Sequence, residues 1–179
     1  MEGYGIPVTI IPHVADEQLI KEKNNLQPKK LVEKLAKAKA KSISDKVCKD
    51  YYIIGSDQIL MCENKRIDKA QNLRQAKANM LFLNDKEHTL FSSSYVCKNE
   101  VEIWSVTKTA RIFMKKLTNQ QIKDYINIYQ NMVLETVGGY RVEEDVMKCI
   151  NIKSGSIEVI QGFPIRNFVT YLKTNKKKL

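Results

Sequence analysis

Residues 51–58 read Tyr-Tyr-Ile-Ile-Gly-Ser-Asp-Gln, an apolar run that ends abruptly in a carboxylate. Four consecutive bulky residues predict a strand that is buried on both faces. We expect Asp57 to emerge where this strand leaves the sheet, the place where open α/β sheets bind ligands. A carboxylate there can hold a divalent metal ion or accept a proton from water. Lys69 follows twelve positions later and would be a fixed cation for phosphate oxygens.

Each of these two residues also has an ordinary structural interpretation. An aspartate after a strand is often a turn or helix-capping residue, and a single lysine is often only solvated. A functional assignment therefore needs further matches along the chain.

Length and composition predict a globular protein of one domain, residues 1–179, with a lysine-rich tail at about residues 173–179. The hydrophobic content of 43% is enough for a buried core. No stretch has the apolar length of a membrane span, and the first residues lack the pattern of a secretory signal. We therefore expect a cytoplasmic protein that does not interact with membranes.

The cysteines and histidines exclude several classes of site. The four cysteines, at positions 48, 62, 97 and 149, form no Cys-x-x-Cys pair, which argues against a zinc site or a disulfide framework and indicates reduced, partly buried thiols. With only two histidines, a histidine-rich metal centre or a histidine-dependent nucleophile is not expected.

The charge favours polyanionic partners. Thirty Lys and Arg against twenty Asp and Glu give a formal net charge of +10. Nucleotides, nucleic acids and acidic membranes are all compatible with this charge. The sequence has neither an aromatic RNA-binding motif nor zinc-finger spacing, so we expect no specific nucleic-acid partner.

Hydrophobic periodicity predicts a mixed α/β order. Residues 6–11 read as a strand, and a helix is expected from Pro28. A second helix should span about 70–82, and a β-rich block should follow over 90–114. Thr118-Asn-Gln-Gln121 has capping-box spacing and predicts a helix, as does Gly162-Phe-Pro164 near the end of the chain. Residues 146–150 and 157–160 read as strands.

Several short motifs occur together in one order along nearly the whole chain. They are Gly5-Ile-Pro7, Asp16-Glu17, Leu35-Ala36 with Lys39-Ala40, Ile54-Gly-Ser-Asp57-Gln58, Lys69, His88, Gly138-Gly-Tyr-Arg-Val-Glu143, Gly155 and Gly162-Phe-Pro164. In this combination the chain resembles the Maf family of nucleoside triphosphate pyrophosphatases.

The resemblance implies a fold and an activity. The fold would be α/β, a mixed sheet with flanking helices and a cleft between two lobes, often as a homodimer. The activity would be hydrolysis of a nucleoside triphosphate to the monophosphate and pyrophosphate with a divalent cation of the Mg or Mn class. By this match Asp57, Lys69 and Glu17 are the catalytic residues, and Asp57 and Glu17 hold the metal. Lys39 would face the phosphates, and His88 is left structural.

Two replacements bear on the substrate. The branch of the family that cleaves dTTP and UTP has Ala-Asp-Thr at the aspartate and glutamine after the Gly-Tyr segment, whereas this chain has Gln58 and Glu143. Both residues resemble the branch that acts on 7-methyl-GTP and would bind substrate. An acidic residue can accept hydrogen bonds from the N1–H and amino group of guanine.

The resemblance also leaves an alternative open. The family begins with a strand, a Ser-x-Ser-x-x-Arg loop and a helix, and the first residues here align just beyond that unit. The fold is therefore expected without its first strand-loop-helix unit. The alternative function is a catalytically impaired or inactive Maf-like protein that at most binds nucleotides, and a third interpretation is a basic nucleic-acid-binding protein.

Overall fold

The structure, a computed structural model, describes residues 5–22, 26–44, 46–47, 51–144 and 148–175. Within these ranges the α-helices are α1 (Glu17–Glu22), α2 (Pro28–Ser44), α3 (Leu73–Leu83), α4 (Asn119–Ile128), α5 (Gln130–Glu135), α6 (Ile157–Ile160) and α7 (Ile165–Thr174). The strands are β1 (Ile53–Cys62), β2 (Lys65–Ile67), β3 (Glu87–Lys98), β4 (Val101–Met114) and β5 (Ile150–Ser154). The fold class is α/β, as predicted.

The five strands form one sheet in the order β2-β1-β3-β4-β5. Two-residue turns at Glu63-Asn64 and Asn99-Glu100 connect β1 to β2 and β3 to β4. All four turn residues have positive φ, between 48° and 64°. Turns with two consecutive left-handed residues match the twist of antiparallel strands, so these turns make close hairpins.

The chain divides into two compact units. The first consists of residues 1–57, 93–107 and 162–179, and the second of residues 58–92 and 108–161. Residues 53–57 of β1 thus belong to the first unit and residues 58–62 to the second.

The core of the first unit forms where α2 packs on the sheet. Ala36 and Ala40 of the helix contact Ile53, Tyr95 and Cys97 in one buried cluster. The same helix buries Leu31, Val32 and Leu35. These positions recur at helical spacing, which is why the sequence predicts this helix.

The second unit has two buried clusters. One is centred on Leu60, Ile112 and Met114 of the sheet. The other joins α3 to α4 and α5 through residues such as Met80 and Ile122. Its helix α4 begins with the predicted capping box, in which the Thr118 side chain accepts from the backbone N–H of Gln121 and the Gln121 side chain accepts from that of Thr118.

Three of the four cysteines lie within the described residues. Cys62, Cys97 and Cys149 are buried and are not joined to one another by a disulfide. Cys48 lies outside the described residues, as do positions 176–179 of the predicted lysine tail and positions 146–147 of the predicted strand 146–150. None of the helices described is long and apolar enough to cross a bilayer.

Three local predictions are wrong. Residues 6–11 form no strand and belong to none of the five strands, with Ile10 91% exposed. A segment of strand-forming residues that has no neighbouring strand cannot make the backbone hydrogen bonds of a sheet. Asp57 does not follow a strand but lies inside β1, which continues to Cys62 because Ile59, Leu60 and Cys62 are also buried.

The third wrong prediction is the strand at residues 157–160, because these residues form helix α6. The N–H of Ile160 donates to the Ser156 carbonyl at 3.2 Å, and that of Gln161 donates to the Ile157 carbonyl at 2.8 Å. Four apolar residues are too few for periodicity to separate helix from strand.

A buried histidine in the second unit makes stability depend on pH. His88 is 1% exposed, its Nε2 lies 2.6 Å from the Tyr140 hydroxyl, and burial lowers its pKa to about 4. Between pH 6.5 and about 4, the unfolded chain binds a proton at His88, whereas the folded chain does not. The contribution of His88 to the free energy of unfolding is therefore complete above pH 6.5 and should fall by about 3 kcal/mol as the pH drops to 4.

Urea unfolding of the parent and of His88→Gln over this pH range measures that contribution. The same carboxylates titrate in both proteins, so the difference between their plots of unfolding free energy against pH gives the contribution of His88. If the two plots have equal slopes, His88 does not make stability depend on pH.

Candidate active site

Asp57 lies beside helix α2 because Gly55 lets the helix approach the strand. A Cβ atom at Gly55 would lie 2.3 Å from the Ala36 carbonyl oxygen and 2.6 Å from the Ala40 nitrogen. Both are backbone atoms, which cannot move aside as a flexible side chain could. Lys39 lies between these two contact positions of α2, so the close approach brings it to the strand.

Lys39 joins two carboxylates. Its Nζ lies 2.5 Å from Asp57 Oδ1 and 2.9 Å from Glu17 Oε1. The side chains of Asp57, Lys39 and Glu17 are 9%, 17% and 30% exposed, respectively. We call these three residues the acid–lysine cluster.

Two local contacts fix the position of Glu17. The Asp16 carboxylate accepts from the Leu19 N–H at 2.9 Å, which caps the helix that Glu17 begins. The Val14 N–H donates to Ser42 Oγ at 3.3 Å, and this hydroxyl donates to the Lys39 carbonyl at 2.8 Å. The segment before α1 is thereby tied to the turn of α2 that carries Lys39.

Two further residues contact Glu17, and neither of them was predicted from the sequence. Lys21 Nζ lies 3.2 Å from Glu17 Oε2, and His13 Nε2 lies 3.3 Å from Glu17 Oε1. Each is four residues from Glu17. Within α1, where Lys21 follows Glu17, that spacing places two side chains on one face and could have indicated the pair.

Burial and charge act in opposite directions on the cluster. Burial raises the pKa of Asp57 above its ordinary value, although the Lys39 ammonium opposes this. Burial acts to lower the pKa of Lys39, but Asp57 and Glu17 outweigh this effect and raise that pKa above its ordinary value. For Glu17 the burial effect is outweighed by Lys39 and Lys21, which lower its pKa to about 2.

Asp57 Oδ2 is buried and makes no hydrogen bond with any residue that the structure describes. A buried carboxylate oxygen without a partner is costly in a structure that serves stability alone. Together with the raised pKa, it equips Asp57 to accept a proton.

The same carboxylates suit a hard divalent cation. Among the described residues no group of three or more His, Cys, Asp or Glu side chains could hold a metal ion. Magnesium, however, is often bound through one or two carboxylates, with water and substrate phosphates as the other ligands. Asp57 and Glu17, which both contact Lys39, are two carboxylates of the kind that this binding mode requires.

The other predicted site residues belong to the second unit. Gln58 Nε2 donates to the carbonyl oxygens of Val159 and Ile160, both at 2.9 Å, and so holds the end of α6. Lys69 is exposed in the segment between β2 and α3, and Glu143 is exposed in the 3₁₀ turn Val142–Glu144. The structure thus brings together Glu17, Lys39 and Asp57, all in the first unit.

Sequence comparisons agree with the resemblance. The family described as Maf-like protein matches residues 1–175. A nucleoside triphosphate pyrophosphatase of Granulibacter bethesdensis is 28% identical over 98% of this chain and 90% of its own length. Proteins of the same name from Pelagibacter ubique (27%, covering 98% and 91%) and Roseobacter denitrificans (25%, covering 96% and 87%) are also similar. The chain belongs to the Maf-like family.

Proposed function

We propose that this chain hydrolyses a nucleoside triphosphate to a nucleoside monophosphate and pyrophosphate. The observation that carries the proposal is the buried Asp57 carboxylate, which has one oxygen paired with Lys39 and the other without a partner among the described residues. Further support comes from the curated relatives, which are named nucleoside triphosphate pyrophosphatases. A cluster that served only as a salt bridge would not require the free oxygen.

Each member of the cluster has a role in this reaction. Water forms a bond to the α-phosphorus while the bond from that phosphorus to the α–β bridging oxygen breaks, and pyrophosphate leaves. Asp57 Oδ2 accepts the proton of the water. Lys39 offsets the negative charge of the phosphates, and Glu17 orients the Lys39 ammonium. Lys69 remains a proposed phosphate contact, based on the family motif.

Glu17 and Asp57 would also hold a divalent cation of the Mg or Mn class. When bound, such an ion supplies charge compensation for the phosphate oxygens.

Pyrophosphate release with a panel of nucleoside triphosphates tests the proposed function. We expect turnover in the presence of Mg²⁺ or Mn²⁺ and its loss in excess chelator. Saturable nucleotide binding with no pyrophosphate release under any of these conditions would favour the alternative, a protein that only binds nucleotides.

Within this activity we propose a preference for 7-methyl-GTP, which rests on Gln58 and Glu143. The Glu143 carboxylate can accept from the N1–H and amino group of guanine and suits the positive charge of a methylated ring. The ratio of kcat/KM for 7-methyl-GTP to that for dTTP should fall roughly tenfold in Glu143→Gln, since one hydrogen bond to a charged group is worth about 1.5 kcal/mol or more.

Glu63→Gln is the matched control, because Glu63 is an exposed glutamate that pairs with Lys86. It should leave the ratio unchanged. A parent protein that prefers dTTP or UTP would reverse the assignment of the substrate.

A further inference from the structure

A groove of about 550 Å³ lies within the first unit and is separate from the acid–lysine cluster. One side is formed by α2 and the other by β3 and β4. The groove is lined by basic and hydroxyl side chains, which include Lys30, Lys34, Lys37, Ser93, Ser105 and Thr107. Glu17, Lys39 and Asp57 do not line it. We call it the lysine groove.

The lysines of α2 form a row along one face of the helix. Lys30, Lys34 and Lys37 are spaced at i, i+4 and i+7, which places them on neighbouring turns of the same face. Like charges at these spacings destabilise a helix, so folding alone does not account for the row. Lys39 is two residues beyond Lys37 and faces another side of the helix.

Acidic residues of the lining lie next to two lysines of the row. Lys30 lies 3.2 Å from Glu33, and Lys37 lies 3.8 Å from Glu102 and 5.4 Å from the centre of the Tyr95 ring. Together with Lys29, the lining contains four lysines and two glutamates, a formal charge of +2. The formal charge of the lining is therefore positive, which favours an anionic ligand.

Hydroxyl groups complete the wall opposite the lysines. Ser93 Oγ lies 3.1 Å from Thr107 Oγ1 and 3.4 Å from the Val106 carbonyl, and Ser105 Oγ donates to Glu102 at 2.7 Å. The ammonium groups of the lysine row are donors for phosphate oxygens. The Ser105 hydroxyl already donates to Glu102, so it contributes polarity to the wall. The volume lies within the range of small-molecule sites, about 300–1,000 Å³.

We propose that the lysine groove binds a small oligophosphate anion at a site independent of the acid–lysine cluster. The expected ligand presents a short row of phosphate oxygens, which lies along the lysine row and accepts hydrogen bonds from it. The anion can be free, as in pyrophosphate or tripolyphosphate, or it can be the phosphate tail of a nucleotide. The inference does not rest on the proposed hydrolytic activity.

In the first experiment, the full chain is titrated with inorganic tripolyphosphate in metal-free buffer. Calorimetry and backbone amide NMR monitor the binding. We expect saturable binding with chemical-shift changes at residues 93 and 105–107. The double variant Lys34→Gln/Lys37→Gln should bind at least about tenfold more weakly, because it removes two ammonium groups next to the anion. Asp57→Asn should bind as the parent does, which distinguishes failure of this site from failure of the proposed function.

Lys77→Gln/Lys123→Gln is the matched control, since both lysines are exposed on helices of the second unit. It makes the same change in net charge and should leave the affinity unchanged. An equal loss in this control would overturn the proposal, because it would indicate binding by overall charge. Shift changes confined to the acid–lysine cluster would overturn it too.

A comparison of ligands identifies the source of the phosphates. Equal affinities for tripolyphosphate and a non-hydrolysable GTP analogue would support a site for the phosphate chain itself. Tighter binding of the analogue that is still weakened by the double variant would support a nucleotide tail. Binding of single-stranded RNA alone, without saturable binding of either small anion, would overturn the proposal in favour of a nucleic-acid surface.

Discussion

Asp57→Asn is expected to reduce kcat for pyrophosphate release by roughly 10²–10⁴-fold, the usual contribution of a general base. Asparagine keeps nearly the same volume and can still accept from Lys39 through its amide oxygen. It cannot take the proton of the attacking water. KM should change less than kcat, since the lost interaction belongs to the transition state.

The measurement is steady-state pyrophosphate release, with thermal unfolding to verify that the variant folds. Asp124→Asn is a matched control, because Asp124 is an exposed aspartate on α4 that accepts from Gln120. It should retain the parent rate. Parent-like turnover in Asp57→Asn would remove Asp57 from the mechanism.

Lys39→Gln is expected to lower kcat/KM by roughly 10²–10³-fold, the cost of removing one electrostatic stabiliser. It should also move the acidic limb of the pH–rate profile to higher pH. Burial raises the pKa of Asp57, and the Lys39 ammonium opposes this effect. Removal of the ammonium therefore raises the pKa of Asp57 further. Asp57 would then accept a proton only at higher pH.

The shift of the profile distinguishes this role from a structural one. Loss of the ion pair also destabilises the fold, by up to about 3 kcal/mol, but lower stability alone does not move a kinetic pKa. Lys41→Gln, an exposed position on the same helix, controls for the change in charge and should leave the profile in place. An unshifted profile in Lys39→Gln would mean that Lys39 does not act on Asp57.

Local sequence patterns were enough to predict the family, the α/β class and the elements that depend on near neighbours. Helix α4 is an example, because its capping box joins Thr118 and Gln121, three residues apart. Helix α2 is another, because its buried positions recur at the helical period. The motifs also predicted Glu17, Lys39 and Asp57 as site residues, although not that their side chains contact one another.

The contacts among these three side chains depend on the packing of segments that are distant in the sequence. Lys39 reaches Asp57 because Gly55 lets the α2 backbone approach β1, a contact between segments that the sequence pattern does not connect. Long-range partners likewise decided that β1 continues past Asp57 and that residues 6–11 form no strand. The donor that holds the end of α6 is Gln58, about a hundred positions away. Local patterns state what a segment prefers, whereas strand ends and side-chain contacts depend on which distant backbone lies alongside.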